Sequence, residues 1–225
     1  MEDQKIINSL KFYLLATSLK DKIRSGWKIW HVSKERLESV AEHIYGTCIL
    51  AISIESEFKL NLNLDRCIRM LVLHELEEII IGDLTPFDKI TEDEKRLKGQ
   101  EAVKKVLVSL TKKDDYFDLL QEFEEGKTLE SQFARMCDKL ECDIQVKIYC
   151  EKNEVDLFAD SNKYLSEIPE IKNRITSEKS RNLADLFIEN DRRYFVDKQI
   201  EKVADFVKNH SLIDPTQNSD RKSVV

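Results

Sequence analysis

Three side chains that can bind a metal or transfer a proton lie within a few residues of one another. They are His74, Glu75 and Glu78, and Asp83 follows closely. Residues 64–81 are otherwise apolar on nearly every side, which is typical of a helix buried in a protein core. An ionised carboxylate in such a place is strongly destabilising unless it is paired or bound to a metal. The segment therefore predicts a divalent-metal site, and with it an enzyme.

The spacing of these residues favours one shared face. Residues three or four positions apart lie on the same side of a helix, so His74 can act together with Glu75 and Glu78. Glu77 falls on a different side and is predicted to be a solvated or ion-paired surface residue. The zinc-protease pattern His-Glu-x-x-His requires a second histidine at position 78, where this chain has glutamate. A zinc protease is therefore not favoured.

A metal site needs further ligands, and the chain has only four histidines. His43 lies at the inward-facing start of a predicted helix, whereas His31 lies in a predicted loop and His210 near the C-terminal end. Asp138 is embedded among apolar residues of a later predicted helix. A single buried histidine is more often a hydrogen-bonded core residue than a ligand, but four such groups on three helices favour a metal. The predicted ligands are His43, His74, Glu75 and Asp138.

The composition predicts an all-α protein, because the chain has only 5 glycines and 3 prolines and is rich in helix-forming residues. Ser39 and Glu42 form a capping-box pattern that starts one helix. Gly82 and Gly126 are predicted to end others. The tryptophan-containing segment 24–31 and the segment 84–88 are predicted to be loops. The predicted helices are 4–19, 39–58, 64–81, 92–110, 115–124, 131–150, 183–188 and 195–207.

The length of 225 residues fits one domain, predicted over 1–210, and a disordered tail over 211–225. The net charge of −7, without a basic stripe, argues against binding a nucleic-acid polymer. No apolar run is long enough to cross a membrane, and residues 1–5 do not resemble the start of a signal peptide. The five cysteines form no C-x-x-C pair and read as buried thiols of a reducing compartment. We therefore expect a cytoplasmic protein.

Five segments resemble the HD-domain metal-dependent phosphohydrolases, and most of all the branch that contains 5′-deoxynucleotidases. The similarity extends from about Arg24 to Tyr149, more than half of the chain. It implies an HD-domain helical bundle that binds one divalent metal ion and a small nucleotide, and it makes a homodimer an expectation. The segments are Arg24–Trp27, Glu38–His43, Leu73–Glu78, Gly82–Pro86 and Phe133–Glu141.

The resemblance also implies roles for individual residues. The four predicted ligands match the family's metal-binding residues, although Glu75 stands where the family has aspartate. Glu78 matches the residue that transfers a proton or orients water, and Asp83 matches a group near the substrate. Arg24 matches the phosphate-binding arginine. Trp27 matches the residue that crowds the 2′ position of the sugar, a role for which Trp30 competes.

The expected function is removal of the 5′-phosphate from ribo- or deoxyribonucleoside monophosphates, with a preference for deoxyribose. Mixed nitrogen and oxygen ligands suit Mn²⁺, Co²⁺, Fe²⁺, Ni²⁺ or Zn²⁺ equally well. One alternative is an HD hydrolase of a triphosphate or an alarmone. Such a pocket should need several cationic side chains to bind the phosphates, whereas Arg24 is the one that the sequence places clearly near the site. Another is a catalytically silent nucleotide- or metal-binding module. Glu75 is the best argument for that module, whereas Glu78 and Asp83 argue against it.

Overall fold

The computed structural model describes residues 2–85, 87–177 and 180–213. Within these ranges the only β-type pairing is an isolated antiparallel bridge between Ile23 and Ser39, so the prediction of an all-α fold is confirmed. Short 3₁₀ turns cover Ser18–Asp21, Asp160–Asn162 and Arg192–Tyr194. The helices are α1 (Glu2–Thr17), α2 (Ser25–Ile29), α3 (Val40–Phe58), α4 (Leu64–Leu73), α5 (Glu78–Ile81), α6 (Glu92–Leu107), α7 (Lys113–Glu125), α8 (Leu129–Glu151), α9 (Lys163–Ser166), α10 (Pro169–Ser177), α11 (Leu183–Asp191) and α12 (Lys198–Asn209).

Local sequence signals set several of these boundaries. The predicted capping box at the start of α3 is present: the Glu42 amide donates to Ser39 Oγ at 3.3 Å, and the Ser39 amide donates to Glu42 Oε2 at 2.9 Å. A second capping box, of Thr91 and Glu94, begins α6. Gly126 ends α7 in the left-handed conformation, with a φ of 61°.

The helix predicted over 64–81 is interrupted, so the prediction of one continuous helix is wrong. α4 ends at Leu73, residues 74–77 form turns, and α5 begins at Glu78. The Leu76 amide donates to the Leu73 carbonyl at 3.1 Å, an i to i−3 bond of the 3₁₀ type. Hydrophobic periodicity could not reveal this break, because the apolar residues continue through it without a glycine or a proline.

The structure differs from the sequence-based prediction in three other parts of the chain. Segment 24–31 contains the short helix α2 rather than only a loop. Helices α9 and α10 lie in a region for which the sequence pattern predicted nothing. The sequence pattern also predicts that the first helix is amphipathic, with an apolar face that should be buried. In α1, however, Phe12 and Ala16 pack towards the core, and the residues of that predicted face stay exposed: Ile6, Ile7, Leu10, Tyr13 and Leu14.

The chain divides into two compact units. The first consists of Met1–Trp27 and Leu37–Asp138, and the second of Lys28–Arg36 and Lys139–Val225. In the first unit, α3 packs against α4, and α6 packs against both α5 and α7. Its core includes buried residues from the turn after α4, from α6 and from α7: Leu76, Val103, Val106, Leu107 and Leu120. The assignment of one domain over 1–210 stays a prediction.

The predicted tail falls mostly beyond the structure, since residues 214–225 lie outside the described residues. Pro86 of the predicted loop lies outside them too. Residues 211–213 of the tail are bound to Glu151, which accepts the Ile213 amide at 2.9 Å. None of the helices in the described ranges combines the length and the apolarity needed to cross a membrane.

Candidate active site

The start of α3 positions two of the predicted site residues. The Ser39 cap places His43 in the first turn of α3, where its side chain is buried. The bridge between Ile23 and Ser39 brings the preceding chain alongside this turn. Within that pairing, the Arg24 amide donates to the Glu38 carbonyl at 3.0 Å. A few backbone hydrogen bonds thus hold Arg24 next to the helix that carries His43.

The interruption between α4 and α5 positions the next three residues. His74 and Glu75 lie in the turns, and Glu78 is the first residue of α5. Leu76, between them, is only 1% exposed and belongs to the core of the first unit. Because the turn is anchored by this buried leucine, its neighbours are held in a defined position. Asp138 is presented from α8 and is also buried.

These elements bring the four predicted ligands together, with one ligand atom of each within 4.8 Å of the others. His43 Nε2 lies 3.1 Å from Asp138 Oδ1 and 3.7 Å from Glu75 Oε1. His74 Nε2 lies 3.5 Å from Asp138 Oδ1 and 3.3 Å from Glu75 Oε1. Despite its extra methylene, Glu75 therefore reaches the same point as the other three side chains.

The hydrogen bonding of His74 leaves its Nε2 atom available as a metal ligand. Nδ1 lies 2.6 Å from the Leu71 carbonyl, which can only accept, so Nδ1 carries a proton. Nε2 is buried and makes no hydrogen bond, although two carboxylate oxygens lie near it. A histidine is typical of a metal ligand when its Nδ1 donates to a backbone carbonyl and its Nε2 is directed at carboxylates.

The spacing of the four ligand atoms fits a metal ion. Bonds of about 2.1 Å to nitrogen or oxygen place neighbouring ligand atoms about 3.0–3.4 Å apart around one ion. The four separations between an imidazole nitrogen and a carboxylate oxygen run from 3.1 to 3.7 Å. The donor set also fits a mid-sized divalent cation, because it combines two imidazoles with two carboxylates. The residues present can therefore hold such an ion with little movement.

Charges within the cluster shift its pKa values in opposite directions. Burial alone would lower the pKa of His74, but Glu75 and Asp138 raise it well above its ordinary value. Burial alone would raise the pKa of Glu75, but the positive charge of His74, aided by Arg24, holds it well below its usual range. Without a metal, a proton on His74 thus supplies the positive charge that the carboxylates require, and a cation would take its place.

Glu78 and Asp83 lie beside this cluster. Burial raises the pKa of Glu78 well above its ordinary value, and the negative charges of Glu75 and Asp83 raise it further. Asp83 follows Gly82, whose φ of 81° turns the chain after α5, and its carboxylate accepts the Ser25 amide. Arg24 is the guanidinium near these acids, with Nη1 at 3.2 Å from Glu75 Oε1. A protonated acid and a cation thus lie on the border of the ligand cluster.

Glu77 was predicted to be a solvated or ion-paired surface residue, and its placement in the structure contradicts a surface position. Its side chain is half-buried, and its carboxylate approaches the backbone of Gly99 in α6. Burial raises the pKa of Glu77 to about 7, with further contributions from Glu124 and Glu75. Helical spacing placed this residue on an outer face, but the interrupted helix turns it towards α6.

Both tryptophans are buried more deeply than a side chain that contacts a ligand would be. Trp27 is 2% exposed, and its indole N–H donates to Glu38 Oε2 at 2.8 Å. Trp30 belongs to the second unit, where its ring meets Phe187 edge-on at 6.3 Å. Sequence reasoning assigned no role to Glu38 or to the Ser25 amide. A backbone donor has no signal in a sequence, whereas Glu38 belongs to the segment that resembles the family.

The HD domain family model matches residues 16–183, which is most of the chain. This chain belongs to the HD domain family. Its HD domain is similar to the 5′-deoxynucleotidase HDDC2 of Xenopus laevis, at 35% identity over 144 residues, 63% of this chain and 69% of that one. The human 5′-deoxynucleotidase HDDC2 is 32% identical over 142 residues, 62% and 67% of the two chains. The structure also resembles the crystal structure of the PH0347 protein of Pyrococcus horikoshii OT3, with a TM-score of 0.58 and 22% identity. The match covers 86% of this chain and 99% of that one, and at this identity it shows a similarity of fold alone.

Proposed function

We propose that the protein is a metal-dependent hydrolase that removes the 5′-phosphate from nucleoside monophosphates, and that it prefers deoxyribose. The buried Nε2 of His74, directed at two carboxylates beside Arg24, is the observation that carries this proposal. It combines a place for a cation with a guanidinium that can bind a phosphate. The proteins of Xenopus and human to which the chain is similar are named 5′-deoxynucleotidases, which supports the choice of substrate.

In this proposal, His43, His74, Glu75 and Asp138 hold one divalent cation. When bound, the cation polarises a phosphoryl oxygen and makes water a better nucleophile at neutral pH. Arg24 binds the phosphate through paired N–H donors and so orients it towards the cluster. Arg24 Nη1 lies 3.2 Å from Glu75 Oε1, so the guanidinium is next to the ligand set, which supports this role.

Glu78 is proposed as the general acid. Hydrolysis forms a bond between a water oxygen and phosphorus, breaks the bond between phosphorus and the 5′-oxygen, and requires a proton on the departing oxygen. The attacking water releases one proton in the same reaction, and this proton restores the acid form of Glu78. The raised pKa of Glu78 keeps its proton available near neutral pH, which suits a donor better than a base. Asp83, bound to the Ser25 amide, is proposed to fix α2 and to contact the substrate.

The preference for deoxyribose is proposed to depend on Trp27 through its position. Since its ring is buried and its N–H is bound to Glu38, Trp27 anchors α2 at the edge of the site. The sugar of the substrate would then contact the surface of α2, and Trp27 would influence the preference for deoxyribose by holding α2 in place. We also propose that the protein is cytoplasmic, which is supported by the five cysteines, because none of them forms a disulfide bond. We further propose that it forms a homodimer.

Phosphate release tests the proposed function. Metal-free protein is resupplied with Mn²⁺, Co²⁺, Fe²⁺, Ni²⁺ or Zn²⁺, and released phosphate is measured with dAMP, AMP and dATP. We expect release from dAMP to exceed release from AMP and dATP with at least one metal. Glu78→Gln keeps the size of the side chain but cannot donate a proton, and should lower kcat by about 10²–10⁴-fold.

Other outcomes point to other functions. Release of phosphate or pyrophosphate from dATP in preference to dAMP would indicate a triphosphate hydrolase. Nucleotide binding without turnover by any metal would indicate a binding module and would contradict the proposal. Glu101→Gln is the matched control, because this exposed glutamate of α6 lies outside the site and its variant should retain wild-type kcat.

A further inference from the structure

Glu38 lies where the chain enters α3, and two hydrogen bonds fix its position. It directly precedes Ser39, the cap of α3. Its carboxylate Oε2 accepts the indole N–H of Trp27 at 2.8 Å, and its backbone carbonyl accepts the Arg24 amide at 3.0 Å. Because both its side chain and its backbone are bound, the Glu38 carboxylate is held in a defined place beside the first turn of α3.

The Glu38 carboxylate lies next to His43, one of the predicted metal ligands. One carboxylate oxygen of Glu38 and one ring nitrogen of His43 lie within 4.8 Å of each other. His43 Nε2 is directed at Asp138 Oδ1 and Glu75 Oε1, at 3.1 and 3.7 Å. Glu38 is not part of that ligand cluster. It thus approaches His43 from another side, where Nδ1 is the ring nitrogen within its reach.

A histidine that binds a metal is usually fixed by a hydrogen bond from its other ring nitrogen. For His74 the Leu71 carbonyl accepts this bond, with Nδ1 at 2.6 Å. A carboxylate suits the same role at His43, because it accepts an N–H bond and its negative charge makes the imidazole a stronger donor to the metal. Since the Trp27 N–H is bound to Oε2 of Glu38, Oε1 is the oxygen that can accept from His43.

We propose that Glu38 is a positioning residue whose carboxylate accepts the Nδ1–H of His43 and so keeps Nε2 available to the metal; the proposal rests on the metal site of the proposed function. The same carboxylate binds Trp27, so α2 and one metal ligand depend on a single side chain. Altering that carboxylate should weaken the metal site, although Glu38 does not itself bind the ion.

Metal affinity tests this role. The Zn²⁺ and Co²⁺ affinities of the wild type and Glu38→Gln are measured by competition with a chromophoric chelator. Glutamine keeps the size of the side chain and can accept the Trp27 N–H, but it lacks the negative charge, so the affinities should fall about 10–100-fold. Proton NMR of the Co²⁺-loaded proteins resolves the exchangeable N–H of each coordinated imidazole. The His43 signal should move or broaden in Glu38→Gln, while the His74 signal stays.

Two further variants separate this role from others. Trp27→Phe removes the indole donor but leaves the Glu38 carboxylate, so metal affinity should fall by less than about threefold. A loss as large as that of Glu38→Gln would show that Glu38 acts through α2, and would overturn the proposal. Glu35→Gln changes an exposed glutamate between α2 and α3 and should leave metal affinity unchanged. Wild-type affinity and unchanged N–H signals in Glu38→Gln would also overturn the proposal.

Glu141 is the competing carboxylate, because it follows Asp138 by three residues on α8 and shares its side of that helix. The same chelator competition is therefore run on Glu141→Gln. Loss of metal affinity in Glu141→Gln but not in Glu38→Gln would assign the role to Glu141 and overturn the proposal for Glu38.

Failure of the proposed function has a different signature. If the wild type binds a metal but releases no phosphate from any nucleotide, the enzyme assignment fails while the affinities still decide the role of Glu38. If the wild type binds no metal, both proposals are wrong. Metal affinity and phosphate release therefore test the two proposals separately.

Discussion

At the scale of single residues, the state of His74 decides what the cluster can bind. Its Nδ1 donates to Leu71, so only Nε2 can serve as a ligand, and this atom is buried between carboxylates. A proton and a metal ion must compete for the same lone pair. Because Glu75 and Asp138 raise the pKa of His74, that competition should be strong, and metal affinity should fall as the pH is lowered.

His74→Ala should therefore abolish metal binding. Removing one of four ligands from a buried site lowers affinity by more than about 100-fold, since the three that remain leave a buried position unfilled. The measurement is metal content by mass spectrometry after dialysis, with about one ion per chain expected for the wild type. His210→Ala is the matched control, because His210 is exposed and bonds the Phe206 carbonyl of its own helix. Equal metal content in both variants would contradict the proposed ligand set.

Residue chemistry was also the part of the site that the sequence revealed most fully. The structure brings together the four predicted ligands, His43, His74, Glu75 and Asp138. They could be predicted because a charged or imidazole side chain in an apolar pattern can be recognised without knowing the fold. The orientation of Trp27 could not be recognised in this way. An indole fits equally well in a core and in a binding site, and the burial of Trp27 and its hydrogen bond to Glu38 distinguish the two.

At the scale of elements, the turn between α4 and α5 governs the site. It directs His74 and Glu75 into the cluster, Leu76 into the core and Glu77 towards α6. Sequence periodicity predicted the existence of helical structure here but not the interruption, because apolar residues occupy nearly every position. The capping box of α3, in contrast, is a local signal of two residues and was predicted correctly.

The burial of Glu77 against α6 predicts a dependence of stability on pH. Its pKa is about 7 in the folded protein and about 4.5 when unfolded, so between these values the folded protein holds a proton that the unfolded chain has lost. The free energy of unfolding therefore falls as the pH rises from about 4.5 to about 7. Glu77→Gln cannot ionise and should lack this loss of about 2.5 kcal/mol, so its Tm relative to the wild type should be about 5–10 °C higher at pH 8 than at pH 5.

Thermal unfolding of chelator-treated protein at the two pH values measures this difference. Glu101→Gln serves as the control, because Glu101 is exposed on the same helix, α6, and should show no change with pH relative to the wild type. An equal Tm difference for Glu77→Gln at pH 5 and pH 8 would show that the carboxyl group ionises normally in the folded state.

At the scale of the whole molecule, the chain passes between its two units three times, after Trp27, Arg36 and Asp138. Residues 28–36 belong to the second unit, where the buried Asn162 binds them: its Nδ2 donates to the Trp30 carbonyl at 3.0 Å, and its Oδ1 lies 2.9 Å from His31 Nδ1. The sequence pattern indicated none of this, because contacts between positions more than 130 residues apart leave no periodic signal.

Asn162→Ala should destabilise the protein by about 2–4 kcal/mol, because it removes the side chain that hydrogen-bonds the buried Trp30 carbonyl and His31 Nδ1. We expect one cooperative urea transition in both proteins, since a chain that crosses repeatedly between units links their unfolding. Ser161→Ala, an exposed neighbour in the same 3₁₀ turn, should change the free energy of unfolding by less than about 0.5 kcal/mol. Two separate transitions, with only one moved by Asn162→Ala, would show instead that the units unfold independently.

The exposed stripe of α1 bears on the assembly of the molecule. Its five apolar side chains repeat with helical spacing and are 44–66% exposed: Ile6, Ile7, Leu10, Tyr13 and Leu14. Contiguous apolar surface of this kind is uncommon on a soluble monomer. A second copy is the proposed occupant, because a two-fold axis would place each stripe against its equivalent and remove both from water.

Leu10→Glu should therefore convert the proposed homodimer into a monomer, since it would bury a charge at the centre of the paired stripes. Light scattering with size-exclusion chromatography at about 10 μM protein measures the change, with a weakening of at least 100-fold expected from the loss of about 3 kcal/mol. Gln4→Glu adds the same charge to α1 outside the stripe and should leave the dimer intact. A wild-type monomer would contradict the proposal, and a dimer that persists in Leu10→Glu would place the interface on another face.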